Sequence, residues 1–187
     1  MMPSHPHHLI VGGQRSGKSR HAEALAQRWL ANDPGHEVVV VATAQAWDEE
    51  MRLRIAQHQL ARAARMQTVE APLHLGSALR HQAGAGRVLL VDCLTLWLTN
   101  WLMPAHGEPD MSGWAHERAD FLDALQTVGS TVLLVSNEIG WGVIPMSSQV
   151  RAFVDELGAL NQAVAARCGQ LTLMVAGQPW TREVAAC

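Results

Sequence analysis

The stretch GGQRSGKS, residues 12–19, has the residue types and the spacing of a phosphate-binding loop. It follows the pattern G-x-x-x-x-G-K-S, in which glycines let the backbone curl so that its N–H groups point at phosphate oxygens. An apolar strand-like run precedes it and a helical pattern follows, which disfavours a chance glycine-rich turn and adds the positive end of a helix dipole. The motif predicts binding of a nucleoside triphosphate through Gly12, Gly13, Gln14, Arg15, Ser16, Gly17, Lys18 and Ser19.

Two side chains of this loop have predicted chemical roles. We expect Lys18 to reach the β- and γ-phosphates, as a catalytic residue, and the Ser19 hydroxyl to coordinate Mg²⁺. A second metal ligand is expected at the end of a buried strand, and RVLLVDC offers Asp92 after four apolar residues. An aspartate there is costly unless a metal or hydrogen bonds compensate it. A helix N-cap role for Asp92 is the alternative, and the two roles are compatible.

A third polar strand end follows in LLVSNEIGWG, where Asn137 and Glu138 lead into a loop that contains glycine. In open α/β sheets such strand ends line the ligand crevice. Glu138 is therefore a candidate second acid or substrate ligand, with a structural turn role equally open. Asp92 and Glu138 are both candidate bases for phosphoryl transfer.

The stretch EEMRLRIAQHQLARAARMQTVE, residues 49–70, contains one histidine, His58. On a helix, Arg54, His58 and Arg62 are spaced i, i+4, i+8 and share one face. Two flanking arginines disfavour the imidazolium, so His58 stays neutral near pH 7, as a nucleophile must. The arginines would also neutralise a triphosphate under attack. The local pattern alone leaves a half-buried, purely structural helix histidine as the alternative.

Short β-rich runs alternate with helical runs along the chain. Apolar strands separated by helices predict a mostly parallel sheet with helices on both faces. We expect one nucleotide-binding domain over residues 1–187, with residues 1–8 flexible and residues 103–113 in a surface loop. The predicted strands lie within 7–13, 37–44, 67–72, 84–93, 130–138 and, as the last strand, 170–177; the predicted helices are 17–32, 48–65, 73–83, 112–128 and 148–168.

Composition and short sequence features argue against several classes of protein. A formal net charge of −3 without a basic tail argues against nucleic acid as the main partner. The apolar runs are too short for a membrane span, and the N-terminus lacks the features of a signal peptide. Three cysteines without metal-like spacing indicate reduced thiols in a cytoplasmic protein, with Cys93 buried. His5, His7 and His8 indicate a solvated end, with adventitious metal binding as the alternative.

In their order, these motifs resemble the bifunctional adenosylcobinamide kinase/adenosylcobinamide-phosphate guanylyltransferase family of cobalamin biosynthesis. The resemblance runs from about residue 9 to residue 177 and is carried by GGQRSGKSRHAEALA, VATAQAWDEEMRLRIAQHQLAR, TVEAP, VLLVDCLTLWLTN, VSNEIGWGVIP and VDELGALNQAVA. It implies a RecA-like P-loop fold and a homo-oligomer, with the trimer as a known form. It also implies that ATP or GTP phosphorylates the aminopropanol hydroxyl of adenosylcobinamide. GTP then transfers GMP to that phosphate through a guanylyl-histidine.

The resemblance also assigns residues. It places the nucleophile at His58 within RIAQHQLARA, although Gln59, Ala63 and Met66 replace the arginine, proline and tryptophan that are common in the family. Glu70 is a hypothetical acceptor for the guanine N1–H and amino groups. The implied nucleotide contacts beyond the phosphate loop are Thr43, Ala44, Gln45, Gln59, Leu60, Ala61, Arg62, Glu70 and Asp92.

Two other functions remain open at this point. One is a simple P-loop kinase of a small metabolite, in which His58 is only structural. The other is a nucleotide-dependent regulatory switch, although the chain lacks the NKxD motif of switch GTPases and an evident partner domain. Trp97, Trp101 and Trp141 are candidates for packing on a large corrinoid, with core packing or a subunit interface as the favoured role of each.

Overall fold

The computed structural model describes residues 7–45 and 65–184. Within these ranges, helices alternate with strands through most of the chain. The strands are β1 (His8–Gly12), β2 (Glu37–Ala42), β3 (Met66–Glu70), β4 (Arg87–Asp92), β5 (Thr131–Val135), β6 (Gln170–Val175) and β7 (Gln178–Glu183). The helices are α1 (Lys18–Asn32), α2 (Leu75–Gln82), α3 (Leu94–Leu102), α4 (Met111–Thr127) and α5 (Ser148–Ala165).

The strands form one seven-stranded sheet in the order β3-β2-β4-β5-β1-β6-β7. Every neighbouring pair is parallel except β6 and β7. The carboxyl ends of the parallel strands therefore meet at one edge, with β5 between β1 and β4. This edge brings together the loops that carry the predicted nucleotide ligands.

Side chains alternate between the two faces of each strand and form a separate apolar core on each face. Leu9 of β1 and Val39 of β2 point toward the core that holds the apolar sides of α2, α3, α4 and α5. Ile10 and Val40 point the other way, toward Ala22, Ala26 and Leu30 of α1. The predicted mostly parallel sheet with helices on both faces is confirmed.

Three details differ from the sequence-based prediction. The strand over 170–177 is not the last, because β7 follows it as an antiparallel hairpin partner. All residues of β7 are exposed. Its sequence, QPWTRE, lacks the apolar alternation that marks a half-buried strand, so the sequence pattern did not predict this strand. Helix α3 occupies an apolar run for which the sequence predicted neither a helix nor a strand. Helix α4 begins at Met111, inside the predicted loop. The predicted helix 48–65 lies outside the described residues, apart from Arg65.

The expectation of a flexible, solvated end was wrong for His7 and His8, which are 2% and 6% exposed. The Val132 amide donates to Nδ1 of His7, so Nε2 carries the proton and donates to the Leu125 carbonyl oxygen at 2.6 Å. Nε2 of His8 is hydrogen-bonded to Oγ1 of Thr172 at 2.7 Å. Burial is the main cause that lowers the pKa of His8 to about 4, with a smaller contribution from His21.

Acid is therefore expected to destabilise the fold through His8. Its pKa falls from 6.5 in the unfolded chain to about 4 in the folded protein, so only the unfolded chain gains a proton between these values. Neutral His8 therefore leaves the folded protein at its full stability above about pH 6.5. Between about pH 6.5 and about pH 4 the free energy of unfolding falls progressively, by on the order of 1–3 kcal/mol.

Urea unfolding at about pH 7 and about pH 4.5 measures this effect. In His8→Gln, the loss of unfolding free energy between the two pH values should shrink. The exposed His106 provides a matched control, since His106→Gln should keep the wild-type pH dependence. An unchanged pH dependence in His8→Gln would remove His8 from the explanation.

Among the described helices, none has the length and apolar character that a membrane span requires.

Candidate nucleotide-binding site

The phosphate loop joins β1 to α1 and depends on glycine at two positions. Gly12 has φ +156°, and a Cβ on it would lie 2.4 Å from the Met174 carbonyl oxygen of β6. Gly17, the N-cap of α1, has φ +97°. A side chain at either position would strain the backbone, and at Gly12 it would also collide with β6. These two glycines explain why the chain can turn directly from strand into helix.

Neighbouring segments hold the loop from both sides. The Glu138 amide, just beyond β5, donates to the Gly12 carbonyl oxygen at 3.1 Å. The Gly177 amide, in the β6–β7 turn, donates to the Ser16 carbonyl oxygen at 3.0 Å. The hydroxyl of Ser16 is buried and has no hydrogen-bond partner among the described residues. Gly13, Gln14 and Arg15 are exposed, so the curve of the loop is accessible to a ligand.

Lys18 is the first residue of α1, where free helix N–H groups and the positive end of the dipole favour an anion. The first turn of α1 contains no acidic side chain that would offset this positive charge. The ammonium group folds back over the loop, where Nζ donates to the Gly13 carbonyl oxygen at 2.6 Å. Burial lowers the pKa of Lys18, and attraction to the thiolate form of Cys93 and to the Asp92 carboxylate opposes this shift. The role of Lys18 as a phosphate ligand stays a prediction.

Ser19 and Asp92 come together across the sheet edge. The Ser19 hydroxyl donates to Oδ1 of Asp92 at 3.4 Å. The N-cap of α3 is Cys93, without a side-chain cap bond, so the alternative role of Asp92 as a helix N-cap was wrong. A hydroxyl and a carboxylate are hard oxygen donors of the kind that Mg²⁺ accepts beside nucleotide phosphates. In residues 7–45 and 65–184, no group of three His, Cys, Asp or Glu side chains is placed to hold a metal.

Asp92→Asn is expected to lower phosphoryl transfer by about 10- to 100-fold and to raise the Mg²⁺ concentration that gives half-maximal activity. The amide keeps the size of the side chain but loses the negative charge that favours a cation. Kinase assays over a Mg²⁺ series measure both effects. Asp155→Asn is a control, because Asp155 is exposed on α5. If Asp92→Asn and Asp155→Asn showed the same Mg²⁺ dependence, the metal-ligand role would be excluded.

Cys93 follows Asp92 directly but has the character of a structural residue. Burial is the main cause that raises the pKa of its thiol to about 11, and the charge of Asp92 adds to the shift. The thiol is therefore neutral near pH 7 and a poor nucleophile. Its backbone N–H donates to Oγ1 of Thr43 at 2.9 Å, and that hydroxyl donates to the Cys93 carbonyl oxygen at 2.7 Å.

The other described candidates lie farther along the same edge. Thr43 is fully buried, and its hydroxyl is engaged by the Cys93 backbone, so the half-buried Ala44 and Gln45 are the accessible part of this segment. Glu70 is exposed at the end of the edge strand β3, in register with Ala42. Four strand spacings of about 4.8 Å separate β3 from β1, or roughly 19 Å.

Helix α3 connects these separated loops through polar groups of its side chains, and the sequence alone predicted no role for two of them, Thr95 and Asn100. Nδ2 of Asn100 donates to the carbonyl oxygens of Thr43 and Pro72, both at 2.8 Å. The backbone N–H of Asn137 donates to Oγ1 of Thr95 at 2.9 Å. Nε1 of Trp97 donates to the Leu73 carbonyl oxygen at 2.7 Å. Thr95, Trp97 and Asn100 all lie in the one sequence block DCLTLWLTN, and this clustering could have indicated their shared role.

The tryptophans have different environments. Trp97 is fully buried and packs edge-on against Trp114 and Phe121, which confirms core packing for this residue. Trp101 is half-buried against the same core. Trp141 is 73% exposed in the loop after β5.

Several predicted site residues lie outside the described residues. They are His58 with its flanking Arg54, and the neighbouring residues Gln59, Leu60, Ala61 and Arg62. Their segment joins Gln45, at the carboxyl end of β2, to Arg65 at the start of β3. The roles of these residues stay predictions.

The sequence matches the family model described as cobinamide kinase / cobinamide phosphate guanyltransferase over residues 8–181. The chain belongs to this family. A bifunctional adenosylcobalamin biosynthesis protein, CobP, from Pseudomonas aeruginosa is 49% identical over 171 residues, which cover 91% of this chain and 94% of the relative. A bifunctional adenosylcobalamin biosynthesis protein, CobU, from Salmonella typhimurium is 37% identical over 178 residues, covering 90% and 95%. The predicted family is thus confirmed.

Among solved structures, the flagellar accessory protein FlaH from Methanocaldococcus jannaschii aligns with a TM-score of 0.47 and 12% identity. The alignment covers 94% of this chain and 75% of FlaH. The assignment to the cobinamide kinase / cobinamide phosphate guanyltransferase family does not depend on this likeness.

Proposed function

We propose that this protein carries out two successive reactions of cobalamin biosynthesis. It phosphorylates the aminopropanol hydroxyl of adenosylcobinamide with ATP or GTP, and it then transfers GMP from GTP to that phosphate. The observation that carries the proposal is the family match over residues 8–181. The phosphate loop and Asp92, brought together at one sheet edge, support it.

In the first reaction, the acceptor hydroxyl oxygen bonds to the γ-phosphorus, the bond to the nucleoside diphosphate breaks, and the hydroxyl proton passes to a base, for which Asp92 and Glu138 are the candidates. Lys18 and the N-terminal N–H groups of α1 stabilise the negative charge on the phosphates during the transfer. Mg²⁺ bound by Ser19 and Asp92 would neutralise further charge on the β- and γ-phosphates. Positioning and charge neutralisation account for most of the catalysis in such a reaction.

In the second reaction, a nitrogen of His58 attacks the α-phosphorus of GTP, and the bond to pyrophosphate breaks. A phosphate oxygen of adenosylcobinamide phosphate then attacks the same phosphorus. The phosphorus–nitrogen bond breaks, which releases adenosyl-GDP-cobinamide and restores neutral His58. The positive charges of Arg54 and Arg62 would favour the departure of pyrophosphate. Exposed Glu70 is the proposed ligand of the guanine base.

Product analysis tests this proposal. Adenosylcobinamide is incubated with the protein and Mg²⁺, first with ATP alone and then with GTP added. The corrinoid products are then separated and identified by their mass in mass spectrometry. The expected products are adenosylcobinamide phosphate in the first incubation, and adenosyl-GDP-cobinamide with pyrophosphate in the second. Accumulation of the phosphate alone, under conditions in which a family relative makes both products, would indicate a simple kinase.

We further propose that the protein acts as a cytoplasmic homo-oligomer, with the trimer of the resembling family as the expected form. The edge strand β7, whose side chains are all exposed, is available for subunit contacts. Light scattering of the purified protein measures the oligomeric mass directly.

A further inference from the structure

The segment between β5 and α5 exposes an unusual number of apolar side chains. Within the described residues, eight large hydrophobic side chains are exposed, and five of them lie in residues 139–146, named here the apolar loop. Val143 and Met146 are each 96% exposed. A concentration of exposed apolar side chains marks a binding surface more often than isolated ones do. The five residues are Ile139, Trp141, Val143, Ile144 and Met146.

Hydrogen bonds hold the apolar loop at both ends. At its start, the backbone N–H of Glu138 donates to the Gly12 carbonyl oxygen, and the backbone N–H of Asn137 donates to Oγ1 of Thr95. At its end, Nη1 of Arg151 donates to the carbonyl oxygens of Pro145 and Met146 at 2.8 and 2.7 Å. The loop leaves the sheet at β5, between the strands that carry the phosphate loop and Asp92. The loop therefore begins beside the phosphate loop, at the edge of the sheet where phosphoryl transfer is proposed.

The chemistry of the loop restricts what it binds. Residues 139–150 contain no ionisable side chain, and the guanidinium of Arg151 is hydrogen-bonded to the carbonyl oxygens of Pro145 and Met146. An indole and aliphatic side chains instead favour the face of a broad, largely apolar ring. The phosphoryl acceptor of the proposed reaction is a corrinoid macrocycle that carries its hydroxyl on a short arm.

We propose that the apolar loop binds the corrinoid macrocycle and thereby holds the aminopropanol hydroxyl at the phosphate loop. This inference rests on the proposed function. The direct hydrogen bond between Glu138 and Gly12 favours the substrate over a second copy of the chain, because a substrate site must be positioned relative to the phosphates. Trp141 and Ile144 are the expected principal contacts.

Steady-state kinase assays of Trp141→Ala and Ile144→Ser test the inference, with adenosylcobinamide and ATP varied separately. Both side chains are exposed, so the fold should tolerate these changes. The KM for adenosylcobinamide should rise about tenfold or more, while the KM for ATP stays within about twofold of wild type. Met111→Ala is the matched control, since Met111 is an apolar side chain that is 57% exposed at the start of α4, and it should leave both values unchanged.

Each other outcome has a defined meaning. Normal turnover with an unchanged KM for adenosylcobinamide in both variants would overturn the inference. If the same variants also lost oligomeric mass in light scattering, the apolar loop would be a contact between copies of the chain. If the wild-type protein phosphorylated no adenosylcobinamide, the proposed function itself would fail, and this inference with it.

Discussion

Lys18→Ala is expected to lower kcat/KM for phosphorylation and for GMP transfer by about a hundredfold or more. The ammonium group lies at the N-terminus of α1, folded over the phosphate loop, and alanine removes its charge from the place where phosphates bind. The helix N-terminus and the loop N–H groups remain, so some nucleotide binding should persist. Initial rates of both reactions, together with nucleotide affinity, measure the effect.

Arg28→Ala is the control for that experiment, because it removes one positive charge from an exposed position on the same helix. It should leave both rates near wild type. If Lys18→Ala kept normal turnover and normal nucleotide affinity, the phosphate loop would not be the working nucleotide site. A loss confined to phosphorylation would show that GMP transfer uses a separate triphosphate site.

His58→Ala should instead separate the two reactions. Without the nucleophilic nitrogen, GMP transfer should fall by about four orders of magnitude or more, since loss of a covalent nucleophile is among the most damaging changes in an enzyme. Phosphorylation should stay within about threefold of wild type, because Lys18, Ser19 and Asp92 carry that step. Assays that begin from adenosylcobinamide phosphate isolate the second reaction.

The exposed His106 offers a matched control, and His106→Ala should change neither reaction. If His58→Ala lost both activities together with its thermal stability, a structural role for His58 would be indicated. Full retention of GMP transfer would show that another group is the nucleophile.

The phosphate loop was predictable from sequence because its chemistry is local. A strand, two glycines with positive φ, a lysine and a hydroxyl must follow one another within a few residues. Asp92 was predictable for a similar reason, since a carboxylate directly after a buried apolar strand requires compensation. Parallel strands then bring the side chain of Asp92 to the Ser19 hydroxyl.

Other features depend on contacts that no local pattern contains. The burial of His7 and His8 depends on Leu125 and Thr172, which are more than a hundred residues away along the chain. The role of Asn100 depends on the folded structure, in which its side-chain amide donates hydrogen bonds to the segments that follow β2 and β3. Strand β7 has no apolar face, and only its pairing with β6 makes it a strand.

The most direct test of the two-reaction account is covalent labelling by GTP that carries radiolabel on the α-phosphate. The protein is incubated with this GTP and Mg²⁺, denatured, and separated from free nucleotide. We expect label on the wild-type protein that is stable in alkali and labile in acid, as a phosphoramidate is. Label should be absent from His58→Ala, and also when the γ-phosphate carries the radiolabel. No covalent label on wild-type protein that actively phosphorylates adenosylcobinamide would contradict the account.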